Sequence, residues 1–251
     1  RKDPQEVEWL RKAQTATEGA IRMACELVAS AEVAADGGLR LGGEALTSER
    51  VRYQIDVWLL QQGFVNHASI VAGGPSGGDC HDIGAGPLRT GEPVIIDVFP
   101  RDRSTRYHGD CTRTVVHGVI PPEVQRMHAT VVQAKRAAIQ VCRAGVTGAA
   151  VHAAAIAVIQ AAGYGVTLPP AGAPASYCGM VHGTGHGIGL EVHEPPLLAE
   201  GGPELLEGDA LTIEPGLYCH AIGGIRVEDM VIVRAQGCEN LNRLPEGLTW
   251  T

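Results

Sequence analysis

Val181-His182-Gly183-Thr184-Gly185-His186-Gly187-Ile188-Gly189, followed by His193-Glu194-Pro195-Pro196, is the stretch on which the reading of this chain turns. Three histidines fall within twelve residues, set among glycines. Glycine removes side-chain bulk and frees the backbone to turn, so imidazoles on such a segment can converge on one small object. Neutral imidazole is a common metal ligand, which makes a metal ion the first candidate. A lone histidine is more often a hydrogen-bonded core residue, so the rest of the chain must supply further donors. The glycines do not fit a dinucleotide-binding GxGxxG loop, and no strand–helix–strand context with a ribose-binding acid follows.

Further donors occur in a repeated pattern. Gly91-Glu92-Pro93-Val94-Ile95-Ile96-Asp97 reads as a turn leading into a buried strand that ends in a carboxylate, and Gly208-Asp209-Ala210-Leu211-Thr212-Ile213-Glu214 repeats it 117 residues later. Asp97 is followed by Asp110, at the start of Asp110-Cys111-Thr112-Arg113-Thr114-Val115-Val116, and Glu214 by Glu228, within Arg226-Val227-Glu228-Asp229-Met230-Val231-Ile232-Val233. Each half thus offers two acids on two strand-like segments. Glu6-Val7 and Glu123-Val124 open long helical patterns at the same offset, Cys25 and Cys142 lie near their ends, and Gly63-Phe64 and Gly163-Tyr164 close a second helix in each half. A period this long is not a solenoid or propeller repeat. It predicts two similar halves of one domain, facing each other across a pseudo-twofold axis.

The 251 residues suit one large domain with an ample core. Along the chain, helices are expected from Pro4 to about Glu32, from Thr47 or Ser48 to Gln62, from Pro121-Pro122 to near Gly145, and from Thr147 to Ala162, with six or more strands between and after them. That is an α+β pattern, and no linker divides it into separate cores. The formal charge of −8 argues against nucleic acid or an anionic membrane as partner. Seven cysteines without a CxxC pair read as reduced thiols in a cytoplasmic protein. The most apolar run, Ala149 to Ala162, is too short to span a membrane.

Taken singly, each candidate has an ordinary use. Asp97 can cap a turn, Asp110 can pair with Arg113, Glu228 with Arg226, and Glu214 can serve the turn at Pro215-Gly216. Strand alternation nonetheless puts Arg226 and Glu228 on one face, and Asp110, Thr112 and Thr114 on one face. Carboxylates facing a packed layer are costly unless paired or metal-bound. Four of them beside a histidine call for two divalent cations. Oxygen donors with one imidazole and no thiolate suit manganese, cobalt, iron or zinc. Two such ions can share a bridging hydroxide and polarise a carbonyl.

At these residues the chain resembles the catalytic domain of the pita-bread metallopeptidases, the group of methionine aminopeptidase, aminopeptidase P and prolidase. The resemblance covers essentially the whole chain. It implies a curved, mainly antiparallel sheet with four main helices outside. It implies Asp97, Asp110, His186, Glu214 and Glu228 as ligands of two metal ions, with Asp110 and Glu228 bridging them. It implies His81, His182 and His193 as outer histidines that hold substrate and assist proton transfer, and Arg226 as an arginine that supports the site. His182 four residues before His186, Glu214-Pro215-Gly216-Leu217-Tyr218 and Gly224-Ile225-Arg226-Val227-Glu228-Asp229 resemble the proline-specific branch, aminopeptidase P and prolidase. The segment Pro4 to Ala13 resembles the start of a catalytic domain that follows a separate N-terminal domain.

The activity so implied is hydrolysis of the N-terminal Xaa-Pro bond of peptides or dipeptides by a metal-bridging hydroxide. Glu214 would relay the proton, His193 or His81 would help stabilise the oxyanion, and His182 would hold a substrate carbonyl. Manganese is the first candidate metal, and a homodimer is compatible with the reading. A methionine aminopeptidase-like enzyme and a non-peptidase relative of the same fold are the competing readings; such relatives have replaced some of the acids, whereas this chain keeps all five ligands. One departure stands out. The Asp97–Asp110 spacing is thirteen, about two more than the common pattern, and the extra residues fall at Arg101–Arg106, where a hairpin loop can absorb them without moving the ligands but the local rim, and with it substrate choice, is left open.

Overall fold

The structure is a computed structural model that describes residues 1–250. Helix α1 (Pro4–Ala29) begins at a complete cap: the Asp3 carboxylate accepts from the Glu6 amide, the Glu6 carboxylate accepts from the Asp3 amide, and Pro4 opens the first turn. Its apolar stripe, from Val7 and Leu10 to Cys25 and Val28, is buried. The helix stops short of Glu32 because Glu32–Val33 forms strand β1, paired with β2 (Leu39–Leu41), which pairs in turn with β3 (Glu44–Ala45). Helix α2 (Ser48–Gln61) is capped by Thr47 and crosses α1 closely. A Cβ on Gly19 would come within 2.4 Å of the Trp58 ring, so only glycine fits there.

Strands β4 (Phe64–Val65), β5 (Ser69–Gly73), β6 (Pro93–Val98), β7 (Arg101–Asp102) and β8 (Cys111–Val116) complete the first half. The second half holds α3 (Pro122–Val141), α4 (Gly148–Ala161), β9 (Gly185–Gly187), β10 (Glu194–Leu198), β11 (Ala210–Ile213), β12 (Gly216–Cys219), β13 (Gly223–Arg226), β14 (Asp229–Arg234) and β15 (Gly237–Asn240). Helix α3 ends at Val141, before Gly145, because the next backbone groups bond elsewhere: the Ala144 amide donates to Arg234 and the Gly145 amide to Leu205. Tertiary partners there outweigh helix continuation. Among the described residues, no helix is long and apolar enough to cross a membrane.

The halves match as the duplicated sequence predicts. Helices α2 and α4 have 14 residues each, are capped by Thr47 and Thr147, and are followed by Gly63 and Gly163 at φ 85° and 86°. One sheet is ordered β5-β6-β8 and the other β10-β9-β11-β14-β15, so β6 beside β8 corresponds to β11 beside β14. Pairing is antiparallel in both. One apolar cluster joins α1 and α2 to Val94, Ile96 and Val98. A second joins α3 and α4 to Leu211, Ile213, Val231 and Val233. The helices thus cover one face of each sheet; on the other face of the second sheet Val7 and Leu10 of α1 pack against Ala210, Met230 and Ile232, beside the space left for the site.

The two sheets meet where the Glu228 amide donates to the Thr112 carbonyl at 3.1 Å and the Arg226 amide to the Thr114 hydroxyl at 3.1 Å. That contact brings the acids of the two halves together. The Arg101–Arg106 excursion goes elsewhere. Its β7 pairs with β4, Asp102 accepts from Lys12 at 2.6 Å on α1, and Arg106 turns the chain at φ 73°. None of its residues is among the described walls of the acidic cavity, and the extra length is absorbed beside α1, as a hairpin loop allows.

Candidate metal centre

Asp97 is the fifth residue of β6, directly opposite Thr112 on β8. Glu214 directly follows β11, Asp110 directly precedes β8, and Glu228 directly precedes β14. His186 is the middle residue of β9, where glycines on both sides let neighbouring strands close in; a Cβ on Gly185 would sit 2.0 Å from the Thr212 carbonyl oxygen. All nine sequence-predicted residues, Asp97, Asp110, His186, Glu214, Glu228, His81, His182, His193 and Arg226, line one cavity of about 520 Å³. Ile70, Phe99, Val192 and Leu197 supply apolar wall.

The acids are deep. Asp97 is 9%, Asp110 4% and Glu228 2% exposed. One ligand atom each from Asp110, His186 and Glu228 lies within 4.8 Å of the others. The His186 Nε2 is 3.3 Å from Glu214 Oε1 and 3.7 Å from Asp110 Oδ2. Its Nδ1 faces the Gly187 carbonyl at 3.0 Å. A backbone carbonyl on one ring nitrogen orients the ring and turns the other nitrogen into the cluster, as a metal-binding histidine requires.

Electrostatics point the same way. Burial, then the charges of Glu228, Asp97 and Glu214, push Asp110 well above the ordinary carboxylate range. Burial, then Glu214 and Asp97, do the same to Glu228. Burial also raises Asp97, although Arg226 opposes it. At Glu214 burial works against ionisation, but the hydrogen bond and charge of His186, with His182 and Arg226, outweigh it and bring the carboxyl down to about 2. Correspondingly, burial disfavours the charged form of His186, but its bond to Glu214 raises it overall. The metal-free centre is thus short of positive charge. Asp97 Oδ1 is buried and without a hydrogen-bond partner. Four carboxylates, one imidazole aimed at them and an orphaned oxygen fit divalent cations with oxygen and nitrogen donors.

The simpler pairings weighed for single residues are not the ones formed. Arg226 bonds Asp97 at 2.7 Å, not Glu228, and Glu228 accepts from the Thr112 hydroxyl at 2.7 Å. Arg113 bonds Asp229 at 2.8 Å, not Asp110. Arg226 also donates to the Tyr218 hydroxyl oxygen at 2.9 Å. The tyrosine proton is then free for His182 Nε2, 2.7 Å away, and His182 Nδ1 donates to the Gly183 carbonyl at 2.6 Å. Burial lowers His182, so this relay from Arg226 through Tyr218 ends in a neutral imidazole. His193 packs against His186 with ring centroids 4.3 Å apart, and partial desolvation with the His186 charge lowers it from the ordinary imidazole value. His81 is exposed at the rim.

Sequence reasoning missed the supports. Gln14 on α1 clamps Asp110 by its backbone, donating to the carbonyl at 2.7 Å and accepting from the amide at 2.9 Å. Fully buried Lys135 and Arg113 both pair with Asp229, the neighbour of Glu228. A signal was present: strand alternation turns Arg113 away from Thr112 and Thr114 into the packed layer, and Lys135 falls on the apolar stripe of α3 with Val124, Val131 and Ala138. Charges in such positions need partners.

Fold and site together define a pita-bread domain whose two halves close around a buried acidic centre. The chain belongs to metallopeptidase family M24, whose model matches residues 8–235. It is 30% identical over 228 residues to a Xaa-Pro dipeptidase of Pyrococcus furiosus, covering 89% of this chain and 60% of that protein. The solved structure of dipeptidase PepE from Mycobacterium ulcerans superposes with a TM-score of 0.82 at 32% identity, covering 99% of this chain and 61% of the other. An X-Pro aminopeptidase from Thermotoga maritima gives 0.83 at 28% identity, covering 100% and 64%. The chain therefore spans less than two thirds of these relatives.

Proposed function

We propose that residues 1–251 form a single catalytic domain that hydrolyses the bond between a first residue and a following proline, in dipeptides or at peptide N-termini. Two divalent ions would be held by Asp97, Asp110, His186, Glu214 and Glu228, with manganese first and cobalt, zinc or iron suited to the same donors. The observation that carries this reading is His186 Nε2, aimed by the Gly187 carbonyl into a cluster of carboxylates drawn from both halves. When bound, the ions supply a polarised substrate carbonyl and a water acidified toward neutral pH.

The chain's own groups supply the rest. Asp110 and Glu228 would bring one acid from each half to holding the ions. Glu214 stays ionised through the physiological range, so it is available to accept the proton that water gives up. Thr212 steadies its Oε1 at 3.2 Å. Arg226 holds Asp97 and Tyr218, and His182 holds Tyr218 from the other side. His193 and His81, exposed at the rim, are the donors available to the substrate carbonyl oxygen. Ile70, Phe99, Val192 and Leu197 offer apolar surface for a proline ring. The named Xaa-Pro relatives support the same specificity. We assign the protein to the cytoplasm on its seven free cysteines.

The test is a panel of Xaa-Pro dipeptides, Xaa-Pro-Yaa peptides and Met-Ala peptides, offered to metal-stripped protein with manganese, cobalt or zinc added back. Cleavage before proline should return with metal. Activity in stripped protein, or preference for Met-Ala, would overturn the proposal.

A further inference from the structure

Cys80 and His81 line two cavities at once. One is the acidic cavity; the other, of about 450 Å³, is walled by Leu168, Pro170 and Tyr177 among others. The pair stands where the two join. Their loop is held before any ligand arrives. The Asp79 amide donates to the Ser76 carbonyl at 3.2 Å, the His81 amide to the Asp79 carboxylate at 2.9 Å, and Arg226 reaches the Cys80 carbonyl at 3.5 Å. Gly78 packs on the turn after β12, where a Cβ would come within 2.7 Å of the His220 Cα.

One ligand atom each from Asp79, Cys80 and His81 lies within 4.8 Å of the others. Cys80 Sγ is 3.6 Å from His81 Nδ1. A tetrahedral cation with bonds of about 2.3 Å to sulfur and about 2.05 Å to nitrogen sets those atoms about 3.6 Å apart. The thiol–imidazole edge therefore already has the length that such a cation requires. The exposed Asp79 carboxylate accepts from the His81 amide through Oδ1, which leaves its other oxygen for the third position. A thiolate donor distinguishes this cluster from the acidic centre, whose donors are oxygens and one imidazole, and it selects softer cations.

We propose that Asp79, Cys80 and His81 form a second site, for a thiophilic divalent cation of the zinc and cadmium class, whose occupation obstructs the mouth of the acidic cavity. Binding exchanges the Cys80 thiol proton for the cation, and the proton leaves to solvent. The occupation stands on the geometry of the loop alone; only the inhibitory consequence rests on the peptidase reading.

The manganese-loaded full chain is titrated with cadmium and followed by thiolate-to-metal charge-transfer absorption, beside Cys80→Ser and Asp79→Asn. The other cysteines contribute a common background, so the signal is the difference between wild type and Cys80→Ser. One cadmium equivalent of absorption should disappear in Cys80→Ser, and cadmium affinity should fall about 10-fold or more in Asp79→Asn, since even an outer partner of a ligand is worth that much. Zinc should inhibit Xaa-Pro hydrolysis by wild type, with about 10-fold more zinc or greater needed for Cys80→Ser. Identical cadmium spectra for wild type and Cys80→Ser overturn the site. A chain without peptidase activity counts against the functional reading alone, because the cadmium difference still decides the site.

Discussion

In the N-terminal half, Asp110 is steadied by one neutral group, the Gln14 amide, bonded to both sides of its backbone. In the C-terminal half, the matching Glu228 sits in a charged net. Arg113 donates to its carbonyl oxygen and to Asp229 beside it, and Asp229 also accepts from Lys135 and from Asn240 at 2.8 Å. Lys135 extends the net to Glu246 at 2.7 Å. Two halves with the same strands and matching acids therefore fasten those acids by different chemistry. Repetition of acid placement does not demand repetition of its support. Asp110 lies against α1, where a single buried side chain suffices. Glu228 lies where β8 of one half meets the second sheet, and Arg113 must cross that boundary.

The sharpest test of the equivalence of the halves is removal of one acid from each. Asp110→Asn and Glu228→Gln should each lower Xaa-Pro hydrolysis by about 100-fold or more, since losing a ligand exceeds the loss of an outer partner. Metal analysis should show the loss in parallel. The stripped variants should melt no lower than stripped wild type, because one of the mutually repelling buried acids is gone. Full activity in either variant would break the pairing of the two acids.

The difference in support predicts a difference in stability. Arg113→Met leaves Asp229 with one cation fewer in the interior and should cost about 3–5 kcal/mol. Gln14→Leu removes three hydrogen bonds, two to the Asp110 peptide segment and one to Asn242, and should cost about 2 kcal/mol. Urea denaturation measures both. Equal losses would mean that the neutral clamp matters as much as the ionic one, and the contrast would fall.

The smallest expected effect concerns the excursion confined to the first half. At Asp102 burial opposes ionisation, but Lys12 and Ser104 outweigh it and bring the carboxyl down to about 2. The unfolded carboxyl titrates near about 3.9. A group with a depressed folded value stabilises above the unfolded value and loses that contribution as pH falls through the folded one. Wild type should therefore exceed Asp102→Asn by about 1 kcal/mol above roughly pH 4, with the gap closing toward pH 2. A gap that persists at pH 2 would assign the effect to packing.

Much of this molecule is legible without coordinates. Asp3 with Glu6, Thr47 and Thr147 announce three helix starts because capping is a contact across three residues. The acids and histidines that line the acidic cavity were recognisable because their residue types and repeated spacing set them apart. Helix ends at Ala29 and Val141 were less legible, since the chain after Ala29 turns into the β1–β2 hairpin and that after Val141 bonds the distant Arg234 and Leu205. The role of Gln14 left no local trace at all.

By itself, then, the sequence determined the two-half plan, the strands that bear the acids and the acids and histidines that gather at one centre, because periodicity and capping act over a few residues. Only the tertiary structure decided which cation meets which acid. Arg226 and Asp97 are 129 positions apart and Arg113 and Asp229 are 116 apart, and such pairs exist only once the two sheets have met. Alternation along a strand tells which face a charge occupies; the partner waiting on that face is chosen by how the halves pack.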